Sequence, residues 1–345
     1  METQQKIAVL FGGSGFIGSY LAVDLLDKNI VDKIVIADIS VNTDHWPEQL
    51  RKYMTDGLVH IVSVDVREPI SSSTLPSHAD IIVNLAAVHR EPGHEAHEYF
   101  ETNLPGAENI CNWARQINCN YIIFTSSIAV YGASENISQQ KDESTLPMPN
   151  TPYGISKLVA EKIHQAWQIE KPERKLLIVR PGVIFGAGEK GNVTRMVRGI
   201  IGKYFVYSSN KQMRKAGGYV KELCNAIIWM YEKQLKNNQG VLLFNFSMDP
   251  TPMMEEYAMA IQQTLGKSRY IPSIPLSVLM VAAFGWFAVN KLLGRKTDIN
   301  PVRISKLRRS NYIIPKTLVD SGYQYQYDLK KAMHDWKEQN PVDWE

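Results

Sequence analysis

Short apolar runs alternate with longer amphipathic stretches along the first half of the chain. Such runs, bounded by turn residues, are typical of strands buried on both faces, and the stretches between them have the periodicity of helices. The alternation predicts an α/β fold, a doubly wound parallel sheet covered by helices. The apolar runs are residues 7–10, 34–37, 60–64, 81–85, 121–124 and 176–179.

A glycine-rich loop follows the first apolar run and precedes a helical pattern. Gly12 would permit a tight turn, Gly15 would let the backbone approach a pyrophosphate, and Gly18 would let the helix pack close to the strand. The helix N-terminus would then face the anion. This context favours a dinucleotide site over a glycine turn without a ligand. The residues expected to contact the dinucleotide here are Gly12, Ser14, Gly15, Phe16, Ile17 and Gly18.

The second apolar run ends in Asp38, about 20 residues past the glycine loop, where a carboxylate binds the ribose hydroxyls of adenosine. That carboxylate would repel a 2′-phosphate, and residues 39–41 include no arginine that could receive one. We therefore predict that the cofactor is NAD.

Two further strand ends are expected to line the same cofactor, because ligands of a parallel sheet bind beyond the carboxyl ends of its strands. The alternative at both places is an ordinary strand end without a ligand. The residues concerned are Asp65 and Val66 for the adenine, and Leu85, Ala86 and Ala87 for the pyrophosphate.

Tyr153 and Lys157 stand four residues apart in the segment Thr-Pro-Tyr-Gly-Ile-Ser-Lys. Residues with this spacing share one face of a helix, so the ammonium of Lys157 would lie beside the phenol of Tyr153 and favour its ionised form. A phenol with its free pKa of about 10 is a poor base at neutral pH, and a neighbouring cation makes it usable. The pair predicts proton transfer next to a dinucleotide.

These segments, together with residues 84–87, 102–103, 125–132 and 180–186, resemble the extended short-chain dehydrogenase/reductases, which include nucleotide-sugar epimerases, dehydratases and 4-ketoreductases. The resemblance covers nearly the whole chain. It implies that Ser127 is the catalytic serine, that Tyr153 is the acid/base, and that Lys157 holds the nicotinamide ribose. It also assigns Asn103 and Pro181 to the cofactor side of the site, Asn103 in a positional role.

The residues after the serine narrow the reaction. Dehydratases of this family carry an Asp-Glu pair there, whereas this chain has Ile128 and Ala129, which disfavours dehydration. A finer similarity over residues 184–220 points to 4-epimerases that act on N-acetylglucosamine linked to a polyprenyl diphosphate or to a nucleotide, in surface-glycan or O-antigen assembly. A 4-ketoreductase, a hydroxysteroid-type dehydrogenase and a non-catalytic NAD-binding scaffold are the alternatives. The expected substrate contacts are His89, Ser127 and Asn192.

At 345 residues the chain exceeds the size of a usual single core, so two domains are expected. Residues 1–180 and 217–246 would bind the cofactor, and residues 181–216 and 247–345 would bind the substrate. Three cysteines without paired spacing and no signal-like N-terminus indicate a reducing, cytoplasmic compartment. A net charge of +3 indicates no nucleic-acid partner. Homodimerisation is expected, and no metal is expected at the histidines of residues 89–97, because hydride transfer needs none.

Residues 271–290 carry no charge, and a helix is predicted over 274–293. Three interpretations compete: a buried core helix, a helix lying in the plane of a membrane surface, and a spanning helix. Residues 257–319 hold ten basic residues and one acidic residue, a balance that favours contact with anionic lipid headgroups over a merely solvated surface.

Overall fold

The computed structural model describes residues 5–71, 73–89, 93–134, 136–208, 210–292 and 309–345. The strands, numbered β1 to β13 in chain order, are Ile7–Phe11, Lys33–Asp38, Val59–Ser63, Ile81–Asn84, Tyr121–Thr125, Gln140–Lys141, Lys175–Pro181, Val183–Phe185, Tyr207–Ser208, Gly217–Tyr219, Val241–Phe246, Ser273–Ile274 and Tyr312–Ile313. The helices, numbered α1 to α10, are Phe16–Asp27, Glu48–Thr55, Ala96–Gln116, Pro152–Ile169, Asn192–Ile201, Val220–Asn237, Met254–Thr264, Leu276–Leu292, Lys316–Asp320 and Leu329–Gln339. Short 3₁₀ helices cover Ile128–Tyr131 and Pro341–Trp344.

Within these residues, seven strands form one parallel sheet in the order β11-β7-β5-β4-β1-β2-β3. This arrangement confirms the predicted doubly wound fold. The strand order reverses between β1 and β4, and ligands of such sheets bind in the crevice at the carboxyl ends of the strands on either side of that point.

The core lies on both faces of the sheet, which explains why the strands read as continuous apolar runs. Successive residues of a strand point to opposite faces. Leu10 therefore packs on the side of α1 and α6, and its neighbour Val9 packs on the side of α3 and α4; both are fully buried.

The segments outside the sheet pack on the α1 and α6 side. Val197 of α5, Ile261 of α7 and Trp336 of α10 belong to the same hydrophobic core as the helices of that face. β8 pairs with β10, β9 with β12 and β6 with β13, each in parallel. Residues 217–246 form β10, α6 and β11, and β11 is the edge strand of the seven-stranded sheet, next to β7.

Most of the described side chains of α8 are solvent-exposed. Ala283 and Asn290 are buried, whereas the exposed ones include Val278, Val281, Phe284, Trp286 and Val289, at 51 to 75% of their surface. The core-helix interpretation therefore does not hold for this part of the chain. Nowhere in the described residues does a helix have both the length and the apolar character that crossing a membrane requires. The basic cluster at Arg295, Lys296, Arg303, Lys306 and Arg308 lies outside the described residues.

Candidate active site

The glycine loop forms a cradle at the end of β1. Gly12 has a φ of +71°, and a Cβ there would lie 2.6 Å from the backbone nitrogen of Ala86, in the loop after β4. A Cβ on Gly18 would lie 2.6 Å from the carbonyl oxygen of Gly13, so the start of α1 rests directly on the turn. Gly15 is the N-cap of α1, and no side chain caps this end of the helix. The first amides of the helix therefore remain available to an anion such as a pyrophosphate.

Asp38 lies beside this cradle and is oriented by it. Its Oδ2 accepts hydrogen bonds from the Ser14 hydroxyl at 2.6 Å and the Ser14 amide at 3.2 Å. The carbonyl oxygen of Ser14 in turn accepts a bond of 2.9 Å from the indole of Trp46, which folds the loop after β2 onto the glycine loop. A carboxylate fixed at the end of β2 suits ribose hydroxyls, so the residues present fit an adenine dinucleotide.

The other two strand ends differ in how they are held. Asp65 forms an ion pair of 2.5 Å with Arg67, which lowers the pKa of its carboxyl group. Val66 is buried and accepts a bond of 3.0 Å from Asn109. Leu85 donates its amide to the Phe11 carbonyl at 2.8 Å. Ala86 and Ala87 follow in a half-buried position next to the glycine loop.

The start of α4 brings the tyrosine to the serine. Thr151 caps the helix by accepting the Gly154 amide at 3.2 Å, so the helix begins immediately before Tyr153. A Cβ on Gly154 would lie 2.5 Å from the carbonyl oxygen of Ala129, two residues after Ser127. The first turn of α4 therefore lies directly on the 3₁₀ turn that follows the serine. Ser127 and Tyr153 are both half-buried, on two elements that are in contact.

Lys157 is buried one turn further along α4. Its Nζ donates a bond of 2.8 Å to the Thr125 carbonyl and lies 5.0 Å from the centre of the Phe124 ring. Burial lowers the pKa of Lys157 to about 7, and the Glu161 carboxylate acts in the opposite direction. The charge that would assist Tyr153 therefore depends on a neighbour that sequence reasoning missed.

Asn103 lies behind the site and ties the loop after β4 to α4. Its Oδ1 accepts the Val88 amide at 2.9 Å, and its Nδ2 donates to the Ser156 hydroxyl at 2.9 Å. Pro181 ends β7 and is buried. These contacts agree with a positional role for Asn103.

Two of the three expected substrate residues, His89 and Asn192, are exposed. His89 follows β4 in a loop, and Asn192 is the first residue of α5, where its Oδ1 accepts a bond of 3.0 Å from Arg195. The N-terminus of α5 is already occupied by a carboxylate, because Glu189 accepts the Thr194 amide at 3.0 Å. His97, another histidine of residues 89–97, lies in the first turn of α3. Among the described residues, no three metal-ligating side chains converge.

A pair of cationic residues near the serine was also missed. The Nζ of Lys215 donates to the carbonyl oxygen of Arg309, and burial together with the Arg309 charge lowers the pKa of Lys215 to about 8. The neighbouring Ala216 packs against Ile128 and Tyr131 of the 3₁₀ turn. The two basic residues are 94 positions apart, so no local spacing could have paired them.

Residues 8–243 match the model of the NAD dependent epimerase/dehydratase family. The chain belongs to this family. Membership confirms the predicted resemblance and, because the family is NAD dependent, the predicted cofactor.

Individual relatives agree with this epimerase/dehydratase assignment. The chain is 28% identical, over 94% of its length and 92% of the relative's, to the N-acetyl-alpha-D-glucosaminyl-diphospho-ditrans,octacis-undecaprenol 4-epimerase of Escherichia coli O157:H7. Its fold is similar to that of the UDP-N-acetylglucosamine 4-epimerase from Methanobrevibacter ruminantium M1, with a TM-score of 0.73, 18% identity, and coverage of 98% of this chain and 100% of that one. The UDP-glucose 4-epimerase from Bifidobacterium longum, solved with NAD+ and UDP, gives a TM-score of 0.72 at 18% identity, with the same coverage. At this identity the two structures establish the fold alone.

Proposed function

We propose that this protein is an NAD-dependent 4-epimerase of a diphosphate-linked N-acetylhexosamine in surface-glycan or O-antigen assembly. The observation that carries the proposal is the contact between the first turn of α4, with Tyr153 and Lys157, and the turn after Ser127. The positions directly after the serine hold Ile128 and Ala129, so this turn offers no acid for dehydration.

The residues divide the proton chemistry between them. Tyr153 takes the proton of the 4-hydroxyl group, and Ser127 hydrogen-bonds the same oxygen and holds it in place. Lys157 stabilises the phenolate form of Tyr153, which is the form that accepts this proton. The glycine cradle and Asp38 would hold NAD, which would supply the acceptor for the carbon-4 hydride and the source of the hydride that returns to the opposite face of the sugar. Tyr153 then gives the proton back, so one centre is inverted without net redox change.

The cationic pair supports a diphosphate in the substrate. Lys215 and Arg309 are both partly buried, and the charge of Arg309 disfavours the charge of Lys215. An anion between or beside them would relieve that repulsion. The relative in Escherichia coli carries a diphospho-undecaprenol in its name, and UDP offers the same diphosphate chemistry. The substrate class is therefore a sugar on a diphosphate, with either a lipid or UDP as its carrier.

The decisive experiment supplies the purified protein with N-acetylglucosamine linked to undecaprenyl diphosphate and, separately, to UDP. An epimerase converts either sugar to a mixture with the N-acetylgalactosamine form and consumes no added NADH. A 4-ketoreductase or a hydroxysteroid-type dehydrogenase would instead use one nicotinamide per product, so stoichiometric NADH consumption would overturn the proposal. No turnover on either carrier, with NAD bound, would favour a scaffold.

We also propose that the protein binds peripherally to the cytoplasmic face of the cell membrane. α8 exposes Phe284 and Trp286 at 56% and 53% of their surface. Exposure of such large apolar side chains to water is unfavourable. A helix of this character, near many basic residues in the sequence, suits a bilayer surface where apolar side chains enter the lipid and cations meet its headgroups.

We propose a homodimer on the basis of an apolar strip on α4. Ile155 and Val159 lie four residues apart on α4 and expose 39% and 37% of their surface. Their spacing places them on one helix face, away from the buried Lys157. An equivalent strip on a second copy would cover this face.

A further inference from the structure

A buried ion pair lies next to the proposed catalytic residues. Glu161 of α4 and Arg180 of β7 are 0% and 5% exposed, and the guanidinium donates to the carboxylate through bonds of 2.8 and 2.7 Å. The desolvation of two buried charges largely offsets their attraction, so such a pair is weak support for stability alone. Its other hydrogen bonds indicate what it does.

The pair holds both flanks of Ser127. Glu161 accepts a bond of 2.5 Å from the hydroxyl of Ser126, the residue directly before the serine. Arg180 donates a bond of 2.7 Å to the hydroxyl of Tyr131, which ends the 3₁₀ turn after the serine. Ser127 therefore lies on a short segment whose two ends are anchored to one ion pair.

The same carboxylate also faces the lysine. Glu161 follows Lys157 by four residues on α4, and helical spacing places the two on one face with Tyr153. Glu161 is the charge that opposes the effect of burial on Lys157. The ionisable groups around this lysine and its counter-charge are Tyr153, Glu161 and His164 on α4, Tyr99 on α3, Arg180 on β7 and Tyr131 on the 3₁₀ turn. Burial lowers the pKa of His164 to about 4, which leaves it neutral near pH 7.

We propose that Glu161 and Arg180 are positioning residues of this site: they hold Ser127 in place against Tyr153, and Glu161, one turn after Lys157 on the same face of α4, supplies the counter-charge to that lysine. Neither residue needs to touch the substrate. The turnover assay below rests on the proposed epimerase function, whereas the lysine titration needs no substrate.

Two variants separate the two parts of the role. Ser126→Ala cuts the link from Glu161 to the serine segment but keeps the ion pair. We expect kcat to fall about 10-fold or more with little change in KM, because small displacements of reacting groups cost up to about 10²-fold. Glu161→Gln keeps an acceptor for Ser126 but removes the charge, and it leaves the Arg180 cation uncompensated. Both effects favour loss of the Lys157 proton, so the alkaline limb of the kcat profile should move to lower pH.

The lysine is also measured directly. NMR titration of isotope-labelled lysine side chains in the NAD complex, with Lys157→Met to assign the signal, should give a lower pKa for Lys157 in Glu161→Gln than in the wild type. A merely structural role would lower the melting temperature without this shift. If Glu161→Gln does not fold, Tyr131→Phe replaces it by cutting the Arg180 flank, and kcat should again fall with KM little changed.

The matched control is Tyr121→Phe. Tyr121 begins the strand that ends just before Ser126, and its buried hydroxyl donates a bond of 2.5 Å to Gln234, away from the site. We expect a comparable loss of thermal stability with unchanged kcat. Wild-type kcat in Ser126→Ala, or an unshifted Lys157 titration in Glu161→Gln, would overturn the positioning role. A wild-type protein inactive on both sugar carriers would overturn the epimerase proposal and leave the lysine titration as the deciding result.

Discussion

At the scale of single residues, the burial of Lys157 opposes the positive charge that this residue needs to assist Tyr153. Desolvation lowers its pKa to about 7, and the Glu161 carboxylate favours its cation. Because this pKa is close to neutral pH, the charge of Lys157 changes strongly with any change in its neighbours, whereas the charge of an exposed lysine would not. This sensitivity is typical of groups that take part in proton transfer.

Replacing Tyr153 with Phe should remove nearly all turnover and leave NAD bound. The phenol is the proposed proton acceptor, and general base catalysis contributes about 10²- to 10⁴-fold to the rate. The measurements are the turnover rate and the NAD content of the purified variant. A variant that kept more than about a tenth of the wild-type rate would exclude this tyrosine as the base.

Asp38 should make the protein prefer NAD over NADP. Its carboxylate, held by Ser14, would bind ribose hydroxyls and repel a 2′-phosphate. Isothermal titration of the NAD-free protein should show much tighter binding of NAD, and Asp38→Asn should narrow the difference because it removes the repelling charge. Equal affinities of the wild type for both cofactors would take this role away from Asp38.

At the scale of elements, the contact of α4 with the turn after Ser127 should tolerate no extra methyl group. In Gly154→Ala the new Cβ would meet the Ala129 carbonyl at 2.5 Å, so the helix or the turn must move. We expect a loss of kcat with NAD still bound. Gly285→Ala is the control, because a Cβ on that glycine of α8 has no neighbour within 4 Å and its activity should be unchanged. Equal kcat in the two variants would show that the contact does not position the site.

The exposed face of α8 should bind the protein to anionic liposomes. Apolar side chains enter the lipid and nearby cations meet its headgroups, and high salt should weaken binding because screening shortens the reach of charges to a few ångströms near molar ionic strength. Replacing Phe284 and Trp286 with Ser should release the protein in a sedimentation assay. The control replaces Leu146 and Met148, which are 75% and 70% exposed, and should keep binding. Wild-type protein that stays in the supernatant at low salt would exclude the membrane proposal and favour a soluble UDP-sugar.

At the scale of the whole molecule, the apolar strip of α4 should produce a dimer in solution. Analytical ultracentrifugation of the wild type should give twice the chain mass, and Val159→Asp should give a monomer because it places a charge on the covered face. Val319→Asp is the control, since Val319 is 42% exposed on α9 and lies outside the strip. A monomeric wild type at micromolar concentration would contradict the homodimer.

The sequence by itself determined the sheet and the glycine cradle, and it predicted roles for Asp38, Tyr153 and Lys157. The sequence patterns behind all of these are local, and strand, turn and helix geometry relate spacing within such a pattern directly to position. The cradle shows this best: at Gly12 and Gly18, both identified from the motif, a Cβ would lie 2.6 Å from backbone atoms.

Only the tertiary structure decided which distant residues complete the site and which surfaces remain uncovered. Arg180 reaches Glu161 because α4 packs against β7, and Lys215 reaches Arg309 across 94 positions. The apolar composition of α8 was equally compatible with a core and with a surface. Burial is a property of what packs against a residue, and the packing partners are chosen by the whole fold rather than by the residues next to it in the chain.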